Sequence, residues 1–160
     1  MDRQLRRRDP SKNLVECVVG DVRYAVPIAT VREIVNPLPL VELPNAPASV
    51  AGVADYRNEV VPVIDLRARF GLPSMPATRR TKWVILRRTA RSFAIIVDGV
   101  TEVFRSSDIR PPPLGGSGAD VRGIEGVATH DGAMVFVLDV ARFGELVAPV
   151  GAEAGVEGQP

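Results

Sequence analysis

Runs of β-branched apolar residues, broken by turn residues, mark out most of the chain. The first two runs, Leu14 to Val19 and Val22 to Ile28, flank Gly20-Asp21. Gly-Asp is turn chemistry, so these runs predict a β-hairpin. The next run, Val31 to Val35, fits either a third strand or a helical turn. Pro37-Leu38-Pro39 then predicts a strand end or surface connection, because proline removes a backbone donor.

A second hairpin is predicted around residues 53–64. Its connection runs from Asp55 to Glu59, and Asn58 is the residue there best suited to a positive φ. The turn apex should therefore lie at Arg57-Asn58, which would point Arg57 outward. Pro62 in the returning run predicts an edge strand or a bulge.

A short helix is predicted directly after this hairpin. Asp65 is a good N-cap for residues 66–70, and Gly71 is a good C-cap. Asp139 and Gly144 frame the same arrangement further along the chain.

The hairpin recurs in the sequence. At an offset of 74 positions, Gly52-Val53-Ala54 meets Gly126-Val127-Ala128. At an offset of 69 positions, Tyr24-Ala25-Val26 meets Phe93-Ala94-Ile95. A supersecondary unit that occurs twice predicts a fold built from two copies of one module. The alternative is a chance alignment of two stretches of β sequence.

The copies divide the chain into a duplicated domain and two tails. The repeat units span about residues 14–71 and 82–144, within a domain of residues 14–146. The basic, polar segment 1–13 is predicted to be a disordered tail. The segment 147–160 is likewise predicted to be disordered.

The net charge indicates which classes of partner to expect, and the cysteine content indicates the cellular compartment. Twenty basic residues face 19 acidic ones, a net charge of +1. This balance gives no field that would attract nucleic acid or an anionic membrane, so neither nucleic-acid binding nor direct membrane insertion is predicted. The single cysteine, Cys17, cannot form an internal disulfide. With no secretory signal pattern or long apolar run, the protein is predicted to be cytoplasmic.

The sequence contains no pattern that predicts catalysis. Its one histidine, His130, falls at the hairpin position equivalent to Tyr56, and no Cys/His spacing typical of a metal site is present. Asp65 and Asp139 resemble a carboxylate pair, but helix capping explains both. We therefore predict a non-enzymatic protein with no catalytic residues, no metal and no cofactor.

Protein contact is the remaining chemistry. Arg57 on a rigid turn is suited to pairing with a carboxylate, because its planar fork can bind bidentately. A solvated turn residue is the alternative interpretation. Glu33 and the apolar stretch 37–43 are the other positions that packing leaves unexplained.

Several motifs, in order, match one known family. The hairpin region fits the pattern G-V-x-N-L-R-G-x-x-x-P-V-x-D-L, and shorter matches flank it. They are Gly52-Val53, Arg57, Pro62-Val63 and Asp65-Leu66, together with Gly20-Asp21, Tyr24, Val26, Val31, Glu33-Ile34, Val97-Asp98-Gly99-Val100 and Ile109-Arg110-Pro111. In these motifs the sequence resembles the CheW family, the adaptor proteins of bacterial chemosensory arrays.

The resemblance implies a mainly β fold. It consists of two SH3-like five-stranded β barrels with short helices and a shared hydrophobic interface. It also implies an adaptor that couples the regulatory domain of a CheA-type histidine kinase to the cytoplasmic signalling tip of methyl-accepting chemotaxis receptors. Other CheW-like domains are a further candidate partner. The adaptor would work in receptor arrays at the inner membrane or in the cytoplasm.

The family's binding residues carry over to four positions, Val31, Glu33, Gly52 and Arg57. The chain departs from the family's N-L-R-G at Asp55, Tyr56 and Asn58, which we add to the candidate protein-binding site. These departures leave an alternative open. The chain could be a divergent CheW-like module that binds receptor or kinase without activating the kinase, as an insulator or accessory adaptor.

Overall fold

The computed structural model describes residues 13–106, 108–112 and 123–157. Within these ranges the chain forms ten strands, two α-helices and a 3-10 turn at Ile28–Thr30. The predicted hairpins are confirmed, and Val31–Val35 is a strand. In chain order the elements are β1 (Asn13–Val19), β2 (Val22–Pro27), β3 (Val31–Val35), β4 (Val50–Tyr56), β5 (Glu59–Asp65), α1 (Leu66–Arg69), β6 (Lys82–Arg88), β7 (Arg91–Val97), β8 (Gly99–Arg105), β9 (Ile124–His130), β10 (Ala133–Leu138) and α2 (Val140–Glu157).

The strands form two five-stranded sheets, as the predicted fold class requires. Sheet I has the order β8-β1-β2-β10-β9, and sheet II has the order β3-β6-β7-β5-β4. Each sheet takes two strands from one sequence copy and three from the other. The copies meet twice in each sheet, in one parallel pair (β2 with β10, β5 with β7) and in one antiparallel pair (β1 with β8, β3 with β6). Each sheet curls into one lobe of the molecule, so neither copy forms a lobe alone.

Apolar residues form three clusters of buried side chains. One fills the inside of sheet I and includes Leu14 and Val135, and another fills the inside of sheet II and includes Trp83 and Ile85. The largest lies between the sheets and draws on both, with Phe93 at 0% exposure. Strand residues alternate between these clusters, because successive side chains point to opposite faces. This third cluster is the predicted shared hydrophobic interface.

The long connections after β3 and β8 dock on the sheets in the same way. Val41 and Val53 exchange two backbone hydrogen bonds of 2.8 Å, and Arg110 and Val127 exchange bonds of 2.9 and 2.8 Å. In each case the docked backbone passes close to a glycine that occurs in both copies, Gly52 or Gly126. A Cβ on Gly52 would lie 2.2 Å from the Val41 carbonyl oxygen, so only glycine admits this approach.

The prediction for Pro62 is wrong, because β5 is an interior strand and the bulge of its pair lies at Val50/Gly52. Pro62 is nevertheless compatible with the ladder. The backbone of its register partner Val53 bonds Val41 rather than β5, and the pairing of β5 with β7 begins only at Val63. The missing proline donor therefore removes no ladder hydrogen bond.

The two helices differ although both follow an aspartate. Asp65 caps α1 by accepting from the Arg67 backbone N–H at 2.9 Å, and Gly71 follows at φ +75°. Asp139 accepts from the backbone of Arg142, yet α2 continues through Gly144. Gly144 is buried against the Arg88 side chain, where a Cβ would lie 2.5 Å from Cδ. The predicted stop at Gly144 is wrong, because this glycine serves close packing.

The two segments predicted to be disordered tails, residues 1–13 and 147–160, differ in what the structure describes of them. Residues 1–12 lie outside the described residues. The segment predicted to be disordered from residue 147 departs from that expectation, because α2 runs to Glu157. Pro149 and the glycines of this segment have low helix propensity, which favoured disorder. Buried Phe143 and Val147 instead anchor the start of the helix by packing, which outweighs propensity. Neither helix of the described ranges is long and apolar enough to cross a bilayer.

Candidate protein-binding site

The β4–β5 turn, which we call the first tip, carries three of the seven predicted binding residues, Tyr56, Arg57 and Asn58. Arg57 and Asn58 occupy its two central positions with φ of +49° and +65°. Two positive φ values in a two-residue hairpin loop define a type I′ turn, whose twist matches the flanking strands. The predicted apex is thus confirmed. The positive φ of Arg57 was not expected, since Asn is the more usual residue there.

Glu33 on β3 holds the first tip in place from the opposite edge of sheet II. The Tyr56 hydroxyl donates to Glu33 Oε1 at 2.5 Å, and Arg57 Nε donates to the same oxygen at 3.0 Å. Arg57 Nη2 lies 2.9 Å from that oxygen as well. Strands β3 and β4 are the two edge strands of sheet II. These side-chain contacts therefore link the two edges and close the lobe.

Arg32 and Glu59 extend this network beyond Tyr56. The guanidinium carbons of Arg32 and Arg57 lie 5.3 and 5.6 Å from the centroid of the Tyr56 ring, which is cation–π distance. Arg32 also donates to Glu59 at 3.1 Å and to the Ser92 hydroxyl at 2.9 Å. Sequence reasoning missed Arg32, Glu59 and Ser92, since no motif or repeat signal marks them.

Electrostatics keep Glu33 ionised. Hydrogen bonds from Tyr56 and then from Arg57 lower the pKa of Glu33 below its ordinary value. The same contacts raise the pKa of Arg57, the hydrogen bond with Tyr56 contributing most and that with Glu33 next. Both groups are therefore charged across the physiological pH range, and the tip presents a fixed guanidinium with 63% of its side chain exposed.

The other predicted site residues do not join this network. Val31 is half-buried and packs against the cluster between the sheets. Gly52 is buried beneath Val41, so its contribution is to the fold rather than to a contact surface. Asp55 is exposed on the face of β4 opposite to buried Tyr56. Asn58 lies beside Arg57 in the turn.

Exposed apolar side chains flank the first tip on neighbouring strand positions. Ile34, next to Glu33, is 38% exposed, and Val60, next to Glu59, is 53% exposed. Val41 on the docked connection is 61% exposed. Charged and apolar residues thus alternate along β3 and β5, with their side chains on opposite faces of sheet II.

The repeat-related turn at Asp131-Gly132, which we call the second tip, has different chemistry. His130 Nε2 contacts Glu102 Oε1 and lies 3.4 Å from Asp131 Oδ2. The imidazole stacks on Phe104 with ring centroids 4.1 Å apart. The equivalence of His130 to Tyr56 is confirmed by the strand registers. Sequence reasoning missed the cluster because Glu102 is 28 positions from His130.

A cleft of about 460 Å³ lies between the two sheets on another face. Its lining includes Val18, Met75 and Trp83, with the ion pair of Arg67 and Asp98 at its wall.

Comparison with known proteins places this fold. The family model of the CheW-like domain matches residues 13–146. The chain belongs to the CheW-like domain family. The resemblance inferred from the sequence motifs is therefore confirmed.

Individual CheW proteins match most of the chain. A chemotaxis protein CheW of Rhizobium meliloti is 31% identical over 131 residues, which cover 81% of this chain and 84% of that protein. A chemotaxis protein CheW of Helicobacter pylori is 35% identical over 98 residues, 60% of this chain and 59% of that protein. The crystal structure of the scaffolding protein TtCheW from Thermoanaerobacter tengcongensis superposes with a TM-score of 0.71 at 27% identity, covering 80% of this chain and 88% of that one.

These matches agree with the two-lobed fold described above. Family membership and the shared architecture support a scaffold or adaptor role in chemotaxis. They do not favour the alternative of an insulating module.

Proposed function

We propose that this CheW-like chain couples the regulatory domain of a CheA-type histidine kinase to the signalling tip of chemoreceptors, using the first tip and its flanking strand edge. The observation that carries the proposal is the Glu33–Tyr56–Arg57 network. It holds a cation in a defined orientation on an otherwise exposed turn.

Pre-organisation is the physical reason that this network favours binding. A free arginine loses side-chain entropy when a partner fixes it, whereas Arg57 is already positioned by Glu33 and Tyr56. Its remaining N–H groups can donate to a partner's carboxylate or backbone carbonyl groups. The loss of this anchoring should therefore weaken binding even where the charge remains.

The apolar neighbours suit a helical partner. Ile34 and Val60 offer exposed aliphatic surface on the strands that carry Glu33 and Glu59. An amphipathic helix, such as one arm of a receptor hairpin, could place its apolar face on them and its acidic residues against Arg57. The surface would then bind by side-chain complementarity and carry out no chemistry of its own.

Binding assays with single variants test this surface. We expect Arg57→Ala and Glu33→Gln to weaken binding of the full chain to a receptor signalling-tip fragment or to the kinase regulatory domain. The expected loss is about tenfold, the range of a single hot-spot contact. Arg110→Ala is the matched control, because Arg110 is an exposed arginine paired with Asp108 in the other lobe. Equal loss in the control would contradict a role specific to the first tip.

Reconstituted kinase activity separates coupling from insulation. Wild-type chain added to receptor and kinase should raise autophosphorylation, and Arg57→Ala should raise it less. An insulating module would lower the rate or leave it unchanged. A wild type that binds neither fragment well above micromolar concentration would overturn the proposal.

A further inference from the structure

We infer that the second tip is a binding site for a divalent transition-metal ion, with Zn²⁺ as the best-fitting probe. The donors are His130 Nε2 and one carboxylate oxygen each from Glu102 and Asp131. These three atoms all lie within 4.8 Å of one another. The inference concerns the lobe opposite to the first tip and does not rest on the proposed function.

The donor set matches the chemistry of zinc. Zinc takes imidazole nitrogen and carboxylate oxygen at bond lengths of about 2.0–2.2 Å, which places tetrahedral donors about 3.3 Å apart. His130 Nε2 and Asp131 Oδ2 already lie 3.4 Å apart. Neutral His130 would bind the ion through Nε2 and keep its ring proton on Nδ1, and its contact with Glu102 would open to admit the ion. Three protein donors leave one coordination position for water.

The imidazole is held ready for this role. Its ring stacks on Phe104 with an interplanar angle of 15°, and Phe104 is itself buried. The His130 side chain is only 21% exposed, whereas Asp131 at the apex is 73% exposed. A nitrogen donor that is already fixed lowers the entropic cost of assembling a site.

Charge distinguishes this tip from its repeat-related counterpart. Around the first tip, Arg32 pairs with Glu59 and Arg57 pairs with Glu33, so the charges of the two glutamates are neutralised. By the repeat offsets, Thr101 takes the position of Arg32 and Asp131 takes that of Arg57. Glu102 is retained, and with His130 neutral these second-tip positions carry two negative charges and no equivalent cation. A divalent ion would balance them.

The buried carboxylate of Glu16 adds to the negative charge near the second tip. Glu16 is the register partner of Glu102 across the β1–β8 pair and is 2% exposed. Thr101 donates to its Oε2 at 2.5 Å, while its Oε1 has no hydrogen-bond partner among the described residues. Arg23 Nη1, at 3.9 Å from Oε1, offsets part of the charge. Glu16 would strengthen the attraction for a cation without ligating it.

The test is a zinc titration of the full chain without an affinity tag. Since His130 is the chain's one histidine, its imidazole resonances report on this site alone. We expect one ion per chain by calorimetry, with a shift of those resonances at the same stoichiometry. Binding should weaken as the solution becomes acidic, because protons compete with the ion for the donor atoms.

His130→Tyr is the decisive variant. It installs the residue of the first tip, which can still donate to Glu102 as Tyr56 does to Glu33, so the turn should stay folded. Loss of the nitrogen donor should weaken zinc binding by at least about tenfold. Asp131→Asn should do the same, while Glu42→Gln, which removes an exposed carboxylate of the other lobe, should leave binding unchanged.

Two results would overturn the inference. One is the absence of saturable zinc binding by the wild-type chain, which would leave His130 and Glu102 as an ordinary ion pair. The other is undiminished affinity in His130→Tyr, which would show that zinc binds elsewhere on the surface.

Discussion

The two tips have the same backbone and opposite electrostatics. Each is a two-residue turn with positive φ at both positions, Arg57-Asn58 in one lobe and Asp131-Gly132 in the other. Each receives a glutamate from the facing edge strand, Glu33 or Glu102. The duplicated fold therefore fixes where a tip residue stands, and the residue type decides what it binds.

The difference also shows which side-chain contacts the fold requires. Tyr56 and His130 share one task, which is to meet the glutamate and join the two edge strands of a lobe. The next residue in each copy does not have this structural role, and here the copies differ in the sign of the charge. It is the cation Arg57 in the first tip and the anion Asp131 in the second. Partner or ligand choice can change there with little effect on the fold.

The largest effect should come from breaking the glycine that both copies share. Gly52→Ala would drive a Cβ into the Val41 carbonyl at a φ of +151°. Gly126 has a looser environment, with the Ile109 side chain at 2.6 Å and the Arg110 oxygen at 2.8 Å. We expect a loss of folding stability of about 3 kcal/mol for Gly52→Ala and about 2 kcal/mol for Gly126→Ala, from overpacking and strain.

Urea denaturation checks this order. Gly71→Ala is the control for strain without a clash, because nothing lies within 4 Å of its added Cβ although φ is +75°. It should cost about 1 kcal/mol. A Gly52→Ala chain with the stability of wild type would contradict the close approach of Val41.

Exchanging the tip residues should produce the next largest effect. Arg57→Asp places a carboxylate beside Glu33 and should reduce receptor-fragment binding at least about tenfold, because it removes the cation and adds repulsion. Asp131→Arg gives the second tip a cation that can pair with Glu102, and it should abolish zinc binding. Binding assays of both variants, with circular dichroism to confirm folding, measure the exchange. Unchanged partner binding by Arg57→Asp would remove the first tip from the interface.

Much of the fold was accessible from the sequence because local and repeated signals agree. Gly20-Asp21 and Arg57-Asn58 mark turns by chemistry that acts within four residues, and the offsets pair the strands of the two copies. The exchange of hairpins between lobes was not accessible from such patterns. It depends on the parallel pairing of β2 with β10, far apart in sequence.

The candidate site was accessible in part. The motif resemblance identified Glu33 and Arg57, and the repeat identified His130 as the counterpart of Tyr56. The partners of these residues come from other strands, as with Arg32 and Ser92, and periodicity carries no information on side-chain contacts between strands. Gly52 is buried beneath Val41, and a motif alone does not distinguish a residue needed for folding from one needed for binding.

A smaller effect should come from an ion pair that the repeat does not duplicate. Arg67 Nε and Nη2 donate to Asp98 at 3.0 and 2.8 Å, and Asp98 Oδ2 also accepts from the Gly20 backbone at 2.8 Å. The contact joins α1 to the β1–β2 turn, hence one lobe to the other. At the 69-position offset the residue equivalent to Asp98 is Ala29.

Acid should remove this contribution. Partial burial alone would raise the pKa of Asp98, but hydrogen bonds from Arg67 and Gly20, with the charge of Arg67, lower it below the ordinary value. A depressed folded-state pKa gives stability that is present above the unfolded pKa and is lost as pH falls through the folded value. Asp98→Asn should therefore cost on the order of 1 kcal/mol at neutral pH.

Thermal unfolding of both chains from pH 7 to below pH 4 measures the difference. The gap between wild type and Asp98→Asn should narrow as the solution is acidified below the usual aspartate range, near pH 4. Asp108→Asn, at an exposed pair, is the control and should show a smaller gap throughout. A gap that stays constant down to low pH would mean that the charge of Asp98 contributes nothing.

The last and smallest effect concerns the rate at which a reagent labels the Cys17 thiol. This rate tests whether the region between the two lobes is closed. The Cys17 side chain is 1% exposed in the cluster between the sheets, and burial, with a smaller contribution from the charge of Glu16, raises the pKa of the thiol to about 12. A thiol reagent attacks the thiolate, so the native chain should react far more slowly than an unfolded chain at pH 8. Labelling should then require opening of the interface, and Gly52→Ala, with its lower stability, should label faster than wild type. If native wild type reacts as fast as the chain in urea, the lobes do not share a closed core.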